Sequence, residues 1–165
     1  VMVALLIDGE AVAAWMLDPV SGDLAMAERG GGAFINDTRM VTDASAPEVS
    51  GLRGAILRRF LPDGLRETIL KRAGALGEIL PGAVCAGADY PKVARGGSGD
   101  EGMDFVMFWR TLPWDHAPGA LFLSEAGGRA ARFDGAPYRP GDGRNGILAA
   151  RNPAVWDRVH AALLE

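Results

Sequence analysis

Apolar residues run almost unbroken over positions 1–7, stop at Asp8-Gly9, and resume over 12–17. An Asp-Gly pair between two such runs signals a hairpin, because Gly accepts positive φ and Asp bonds its own backbone. Ser21-Gly22-Asp23 marks a second turn and 24–27 a short third strand. Positions 28–37 then read as a strand, a glycine corner at Gly30-Gly31-Gly32, and another short strand. The first forty residues therefore predict an antiparallel meander.

Beyond a polar connection at 42–51 the period lengthens. Leu65, Ile69, Ala73 and Leu76 follow Pro62 at helical spacing, with Gly77 placed to end the helix. Pro81-Gly82 leads into an expected strand at 83–85, and 87–94 into a short helix. The apolar run 103–109 predicts a strand covered on both faces. Asp115 stands where a helix over 116–126 needs an N-cap, and Gly127-Gly128 stops that helix. Short strands are expected at 129–133 and 146–150, and Asn152-Pro153 opens a terminal helix. Strands alternating with helices after position 52 predict an α/β layered architecture. The division expected is hairpins over 1–51 and an α/β portion over 52–165.

The formal net charge of −4 over 165 residues lacks the basic footprint of a protein that binds a nucleic acid polymer. The opening apolar run is too short to span a bilayer, and it lacks a basic leader, so neither a membrane span nor a signal peptide is expected. One cysteine, Cys85, excludes an intrachain disulfide and a thiolate cluster. It is expected as a buried, inert thiol, in keeping with a cytoplasmic location. The glycine run at 30–32 has the wrong spacing for a nucleotide loop, and no Lys-Ser/Thr follows it. No nucleophilic triad order is visible, and two histidines with one cysteine supply poor zinc ligation.

Two acidic groups remain as candidates. Asp115 follows an apolar strand and opens a helix, a common ligand position in α/β sheets, so it serves either as a helix cap or as an oxygen ligand for Mg²⁺. Its neighbour His116 either moves protons or takes a bland role, pointing outward or bonding a backbone carbonyl. Asp100, Glu101 and Asp104 form a second acidic group in a glycine-rich stretch that reads as a solvated turn. Glu125 sits unfavourably for the dipole at the end of its helix and has Arg129 or Arg132 as expected partners. His160 stands apart on the last helix.

The stretch Pro113-Trp114-Asp115-His116-Ala117-Pro118-Gly119-Ala120, with Glu125-Ala126-Gly127-Gly128 after it, resembles the W-D-x-A-x-G and E-A-G-G signature of the inositol monophosphatase family. The resemblance extends to Gly32-Ala33-Phe34-Ile35-Asn36, to Cys85-Ala86-Gly87 and to 146–152. It implies a partial layered α/β sandwich of the inositol monophosphatase and fructose-1,6-bisphosphatase type. It also implies Mg²⁺-dependent hydrolysis of inositol phosphate or a related small sugar phosphate monoester, with Asp115 a metal ligand. The family's Asp-Pro-x-Asp-Gly-Thr loop and its upstream Glu do not occur in this sequence. Asp18-Pro19-Val20-Ser21-Gly22 lacks the second Asp and the Thr of that loop. On this reading the water-activating residues lie upstream, so the chain contributes no catalytic residue of its own and is inactive alone. Phe108 stands where inositol-specific members carry a carboxylate, leaving Arg110 either to meet a second anionic group or a sugar hydroxyl or to form a surface salt bridge, and Asp89 to touch a polyol hydroxyl.

A non-catalytic scaffold that binds a small ligand or a partner is the alternative. Expected partners are a small phosphorylated polyol or sugar, and either a second copy or a complementing N-terminal half. An unpaired strand edge and an apolar patch around positions 1–6 follow from that incompleteness.

Overall fold

The computed structural model describes residues 1–97 and 102–165. Two five-stranded sheets organise the chain. The first is an antiparallel meander of β1 (Met2–Ile7), β2 (Glu10–Leu17), β3 (Leu24–Glu28), β4 (Gly32–Ile35) and β5 (Thr38–Met40). Asp8 and Gly9 both take positive φ, as a two-residue turn between right-twisted strands demands. Asn36-Asp37 repeats the device and adds β5, a strand that the sequence pattern does not announce.

The second sheet contains β6 (Arg53–Ile56), β7 (Glu78–Leu80), β8 (Phe105–Phe108), β9 (Arg129–Ala131) and β10 (Ile147–Ala150), in the order β7-β6-β8-β10-β9. Strand β6 runs parallel to β7 and β8, while β10 is antiparallel to β8 and β9. Four helices complete the fold: α1 (Asp63–Arg72), α2 (Ala86–Arg95), α3 (Pro113–Glu125) and α4 (Pro153–Leu164).

Burial explains the layers. Met16, Ala25, Ala33 and Ile35 of the first sheet share a core with Tyr90 and Val93 of α2, Phe122 and Leu123 of α3, and Val106, Phe108, Ile147 and Ala149 of the second sheet. The alternate residues Phe105, Met107 and Leu148 join Ile69 of α1 and Val155, Trp156 and Val159 of α4. Helices α2 and α3 therefore fill the space between the sheets, and α1 and α4 cover the far side of the second one. Strands β8 and β10 are buried on both faces, which is why they read as unbroken apolar runs.

The outer face of the first sheet has no such cover. Val3 pairs with Trp15 across β1 and β2, and Val3, Leu5 and Trp15 are 51%, 52% and 40% exposed. Strand β1 is also a sheet edge, so the expected apolar patch and open edge are both present. Replacing Leu5 and Trp15 together with Lys is expected to abolish most binding of a hydrophobic dye to the chain without changing its far-ultraviolet circular dichroism.

Several local expectations are corrected. Residues 83–85 form a loop and the strand lies earlier, at Glu78–Leu80, where β7 finds β6 as a partner. Helix α1 stops at Arg72 and tightens into a single 3₁₀ turn over Ala73–Ala75, so Gly77 is not its cap. Gly77 is small for another reason: a Cβ there would lie 2.6 Å from the Ser50 carbonyl oxygen. Asp115 does not cap α3. That helix begins at Pro113 after Leu112, with no side-chain cap bond, and Asp115 is its third residue. Asn152 does cap α4, accepting from the Val155 N–H at 2.8 Å.

Candidate active site

The C-terminal end of β8 delivers Trp109, Arg110 and Thr111 to the start of α3. Opposite them lie the turn after β6 and the loop before α2. Between these elements is a cavity of about 250 Å³ whose wall includes Met2, Leu57, Phe60, Val84, Cys85, Phe108, Arg110 and Asp115. The Asp115 carboxylate is half-buried on this wall and meets no hydrogen-bond donor or cation among the described residues.

His116 fixes the same turn from inside. Its Nε2 is 3.1 Å from the Arg110 carbonyl oxygen, which only accepts, so Nε2 carries the proton. Nδ1 then accepts from the Tyr90 hydroxyl at 3.1 Å. Burial pushes the imidazole pKa down to about 4, against the opposing pull of the Arg110 carbonyl. His116 is therefore neutral at physiological pH and takes the backbone-bonding role of those read from the sequence. Arg132, only 1% exposed, braces the turn from behind by donating to the Thr111 hydroxyl at 2.9 Å and pairing with Asp142.

Asp89 is fully buried in the first turn of α2, and its Oδ1 accepts from the Ala83 N–H at 2.8 Å. It reaches the cavity only through the loop it holds. That loop carries Val84 at φ 55°, a conformation that a β-branched residue rarely adopts. Burial raises the Asp89 pKa, with the Ala83 N–H opposing, and Oδ2 has no partner. A carboxyl whose folded pKa is raised stabilises the fold below its unfolded pKa, and that contribution is lost as pH rises through the folded value. Asp89→Asn stays neutral and is expected to be more stable than the parent at pH 7 by roughly 1 kcal/mol. The gap should close toward pH 4, as read from denaturant midpoints.

The remaining candidates separate from the site. Asp100 and Glu101 lie outside the described residues. Asp104 is bound up in the core, receiving Arg151 Nε at 2.6 Å and the Arg53 N–H at 2.8 Å. Glu125 meets neither Arg129 nor Arg132. Its two oxygens accept the N–H groups of Gly30 and Gly32 at 2.9 and 3.0 Å, tying α3 to the glycine corner. Arg129 pairs instead with Asp157. His160 bonds the Phe133 carbonyl at 2.8 Å and stacks on Trp156. Cys85 is exposed rather than buried, because it precedes α2 on the cavity rim. Sequence reasoning missed Phe60, which lies under the Arg110 guanidinium at 4.2 Å; an Arg-Arg-Phe stretch distant in sequence gives no hint of that contact.

A divalent cation of the magnesium type takes about six oxygen ligands. Among the described residues no group of three or more His, Cys, Asp or Glu gathers around any point. The free Asp115 carboxylate fits a share of such a site, and these residues do not make a whole one. Among the described residues, no helix is long and apolar enough to cross a membrane.

Comparison with known proteins places this arrangement. The pattern of the Inositol monophosphatase family matches residues 1–165. An Inositol-1-monophosphatase of Rhizobium meliloti is 30% identical over 139 residues, covering 82% of this chain and 50% of the relative. A Fructose-1,6-bisphosphatase/inositol-1-monophosphatase of Thermotoga maritima is 32% identical over 122 residues, 71% of this chain and 42% of its own length. The chain thus spans about half the length of the curated relatives it matches. Among solved structures, a Staphylococcal IMPase-II superposes with a TM-score of 0.86 at 23% identity, over 99% of this chain and 63% of that one. The extragenic suppressor protein suhB of Bartonella henselae superposes at 0.78 with 26% identity, over 99% and 60%. These likenesses bear out the layered α/β sandwich. With its whole length matched by the family pattern, the chain belongs to the inositol monophosphatase family.

Proposed function

We propose that this chain forms the later part of a Mg²⁺-dependent cytoplasmic phosphatase that hydrolyses inositol phosphate or a related small sugar phosphate monoester. The observation that supports this most is the Asp115 carboxylate, left without a partner on the wall of a cavity of about 250 Å³. An unpaired carboxylate fixed at the start of a helix is a ready oxygen ligand for a hard cation. When bound, the metal activates water and neutralises charge on the phosphoryl group and the leaving alkoxide.

The roles of this chain's own residues follow from their contacts. Asp115 offers one ligand oxygen. Neutral His116, held between Tyr90 and the Arg110 carbonyl, fixes the turn that aims it. Asp89, cast by the family resemblance as a polyol contact, enters this proposal through the 83–85 loop that it anchors. The remaining ligands and the water-activating groups come from the part of the family fold that this chain does not contain. On this reading that part also covers the exposed face of the first sheet; a solved relative extends beyond the 60% of its length matched here.

Phosphate release from inositol 1-phosphate tests the proposal. Release is expected from these residues complemented by the rest of the fold, lost with EDTA and restored by Mg²⁺. None is expected from the 165 residues alone. Release at full rate in EDTA would refute the metal assignment. The absence of a gathered ligand set supports a second reading, a non-catalytic scaffold that binds a small ligand. Metal-independent ligand binding with no turnover in the complemented form would establish it.

A further inference from the structure

One edge of the Asp115 cavity carries two arginines that meet no carboxylate among the described residues. Phe60 is 44% exposed and lines the cavity. The guanidinium carbon of Arg110 lies 4.2 Å from its ring centroid, and that of Arg59 lies 5.2 Å from it. Among the described residues neither arginine meets a carboxylate or donates to an acceptor. Seven other arginines, Arg29, Arg53, Arg66, Arg129, Arg132, Arg144 and Arg151, sit in ion pairs of 3.2 Å or less, while Arg39 lies over Phe34 without one among the described residues. What sets Arg110 and Arg59 apart is their place: both lie on one aromatic ring that lines the cavity of Asp115.

The geometry has a chemical meaning. A guanidinium stacked on an aromatic face uses its π-face, and its in-plane N–H donors stay free for a bidentate anion. Stacking also limits the rotamers of the side chain, so less freedom is lost when an anion binds. Leu57, Val84 and Phe108, which share this wall, are apolar and offer a polyol no hydroxyl partners.

Resting on the phosphatase reading above, we infer that Arg110, held on Phe60 and flanked by Arg59, is the specificity-determining residue of this site. It selects phosphate esters that carry a second anionic group, away from the phosphate that is hydrolysed, over uncharged polyol monophosphates.

Fructose 1,6-bisphosphate and fructose 1-phosphate, which differ only in the distal phosphate, separate the possibilities. The chain complemented by the rest of the fold is expected to favour the bisphosphate in kcat/KM by about tenfold or more, the scale of one charge-assisted contact. Arg110→Ala should lower that ratio by about tenfold, Arg110→Lys should restore part of it, and Arg129→Ala, whose guanidinium pairs with Asp157 on α4, should leave it unmoved. A ratio unaffected by Arg110→Ala would overturn the inference. If the complemented form hydrolyses neither ester nor inositol 1-phosphate, the phosphatase reading fails, and calorimetric binding of the same two compounds still decides the role of Arg110. Tighter bisphosphate binding that Arg110→Ala abolishes supports it, and equal binding of the two overturns it.

Discussion

Asp115→Asn is expected to lower Mg²⁺-dependent phosphate release by about a thousandfold, several kcal/mol of lost transition-state charge stabilisation. The substitution keeps the shape of the side chain and removes only its charge. Since the carboxylate has no partner among the described residues, no ion pair among them is broken and the unfolding midpoint should stay within about 0.5 kcal/mol of the parent. The test is therefore a pair of measurements on the active form: phosphate release against Mg²⁺ concentration, and denaturant unfolding of the same variant. Loss of both would mark Asp115 as a structural residue. Loss of activity alone, only partly recovered at high Mg²⁺, is the expected outcome.

Gly119→Ala should be strongly damaging, since its Cβ would make the shortest contact found at any described glycine. A Cβ at this position of α3 would lie 2.0, 2.4 and 2.5 Å from carbons of the Tyr90 ring. That ring cannot retreat: it is fully buried, stacks on Phe108 with centroids 5.6 Å apart, and bonds His116 through its hydroxyl. Helix propensity favours Ala over Gly by about 1 kcal/mol, but a clash with a fixed ring outweighs it. A net loss of about 3 kcal/mol is expected, lowering the thermal midpoint by roughly 10 °C. Displacement of Tyr90 also loosens His116 and the turn that aims Asp115. Gly64→Ala in α1 is the control, because nothing lies within 4 Å of a Cβ there. It should be neutral or slightly stabilising.

Gly119 also shows what a sequence motif contains. It is the Gly of W-D-x-A-x-G, and its smallness lets α2 and α3 approach between the two sheets. The Glu of E-A-G-G is likewise structural here, clamping Gly30 and Gly32. The elements with strong local signals were legible: the Asp8-Gly9 hairpin, the doubly buried β8 and β10, and the Asn152 cap. What was not legible depended on partners distant in sequence. Strand β7 is only three residues long and is defined by its pairing with β6. The 83–85 stretch looks like a strand by composition, but Asp89 draws it into a loop with Val84 at positive φ. Asp115 and Arg110 were visible through the Trp-Asp motif and the residues beside it. Phe60, the ring that gives Arg110 its orientation, was not, because fifty residues separate them and no periodicity links them.

Titration calorimetry of the 165-residue chain with Mg²⁺ bears most directly on the claim that it holds one ligand of a shared metal site. One free carboxylate predicts no saturable binding below roughly 1 mM, because a hard cation needs several converging oxygens. Tight uptake of two ions by this polypeptide alone, abolished by Asp115→Asn, would contradict the account.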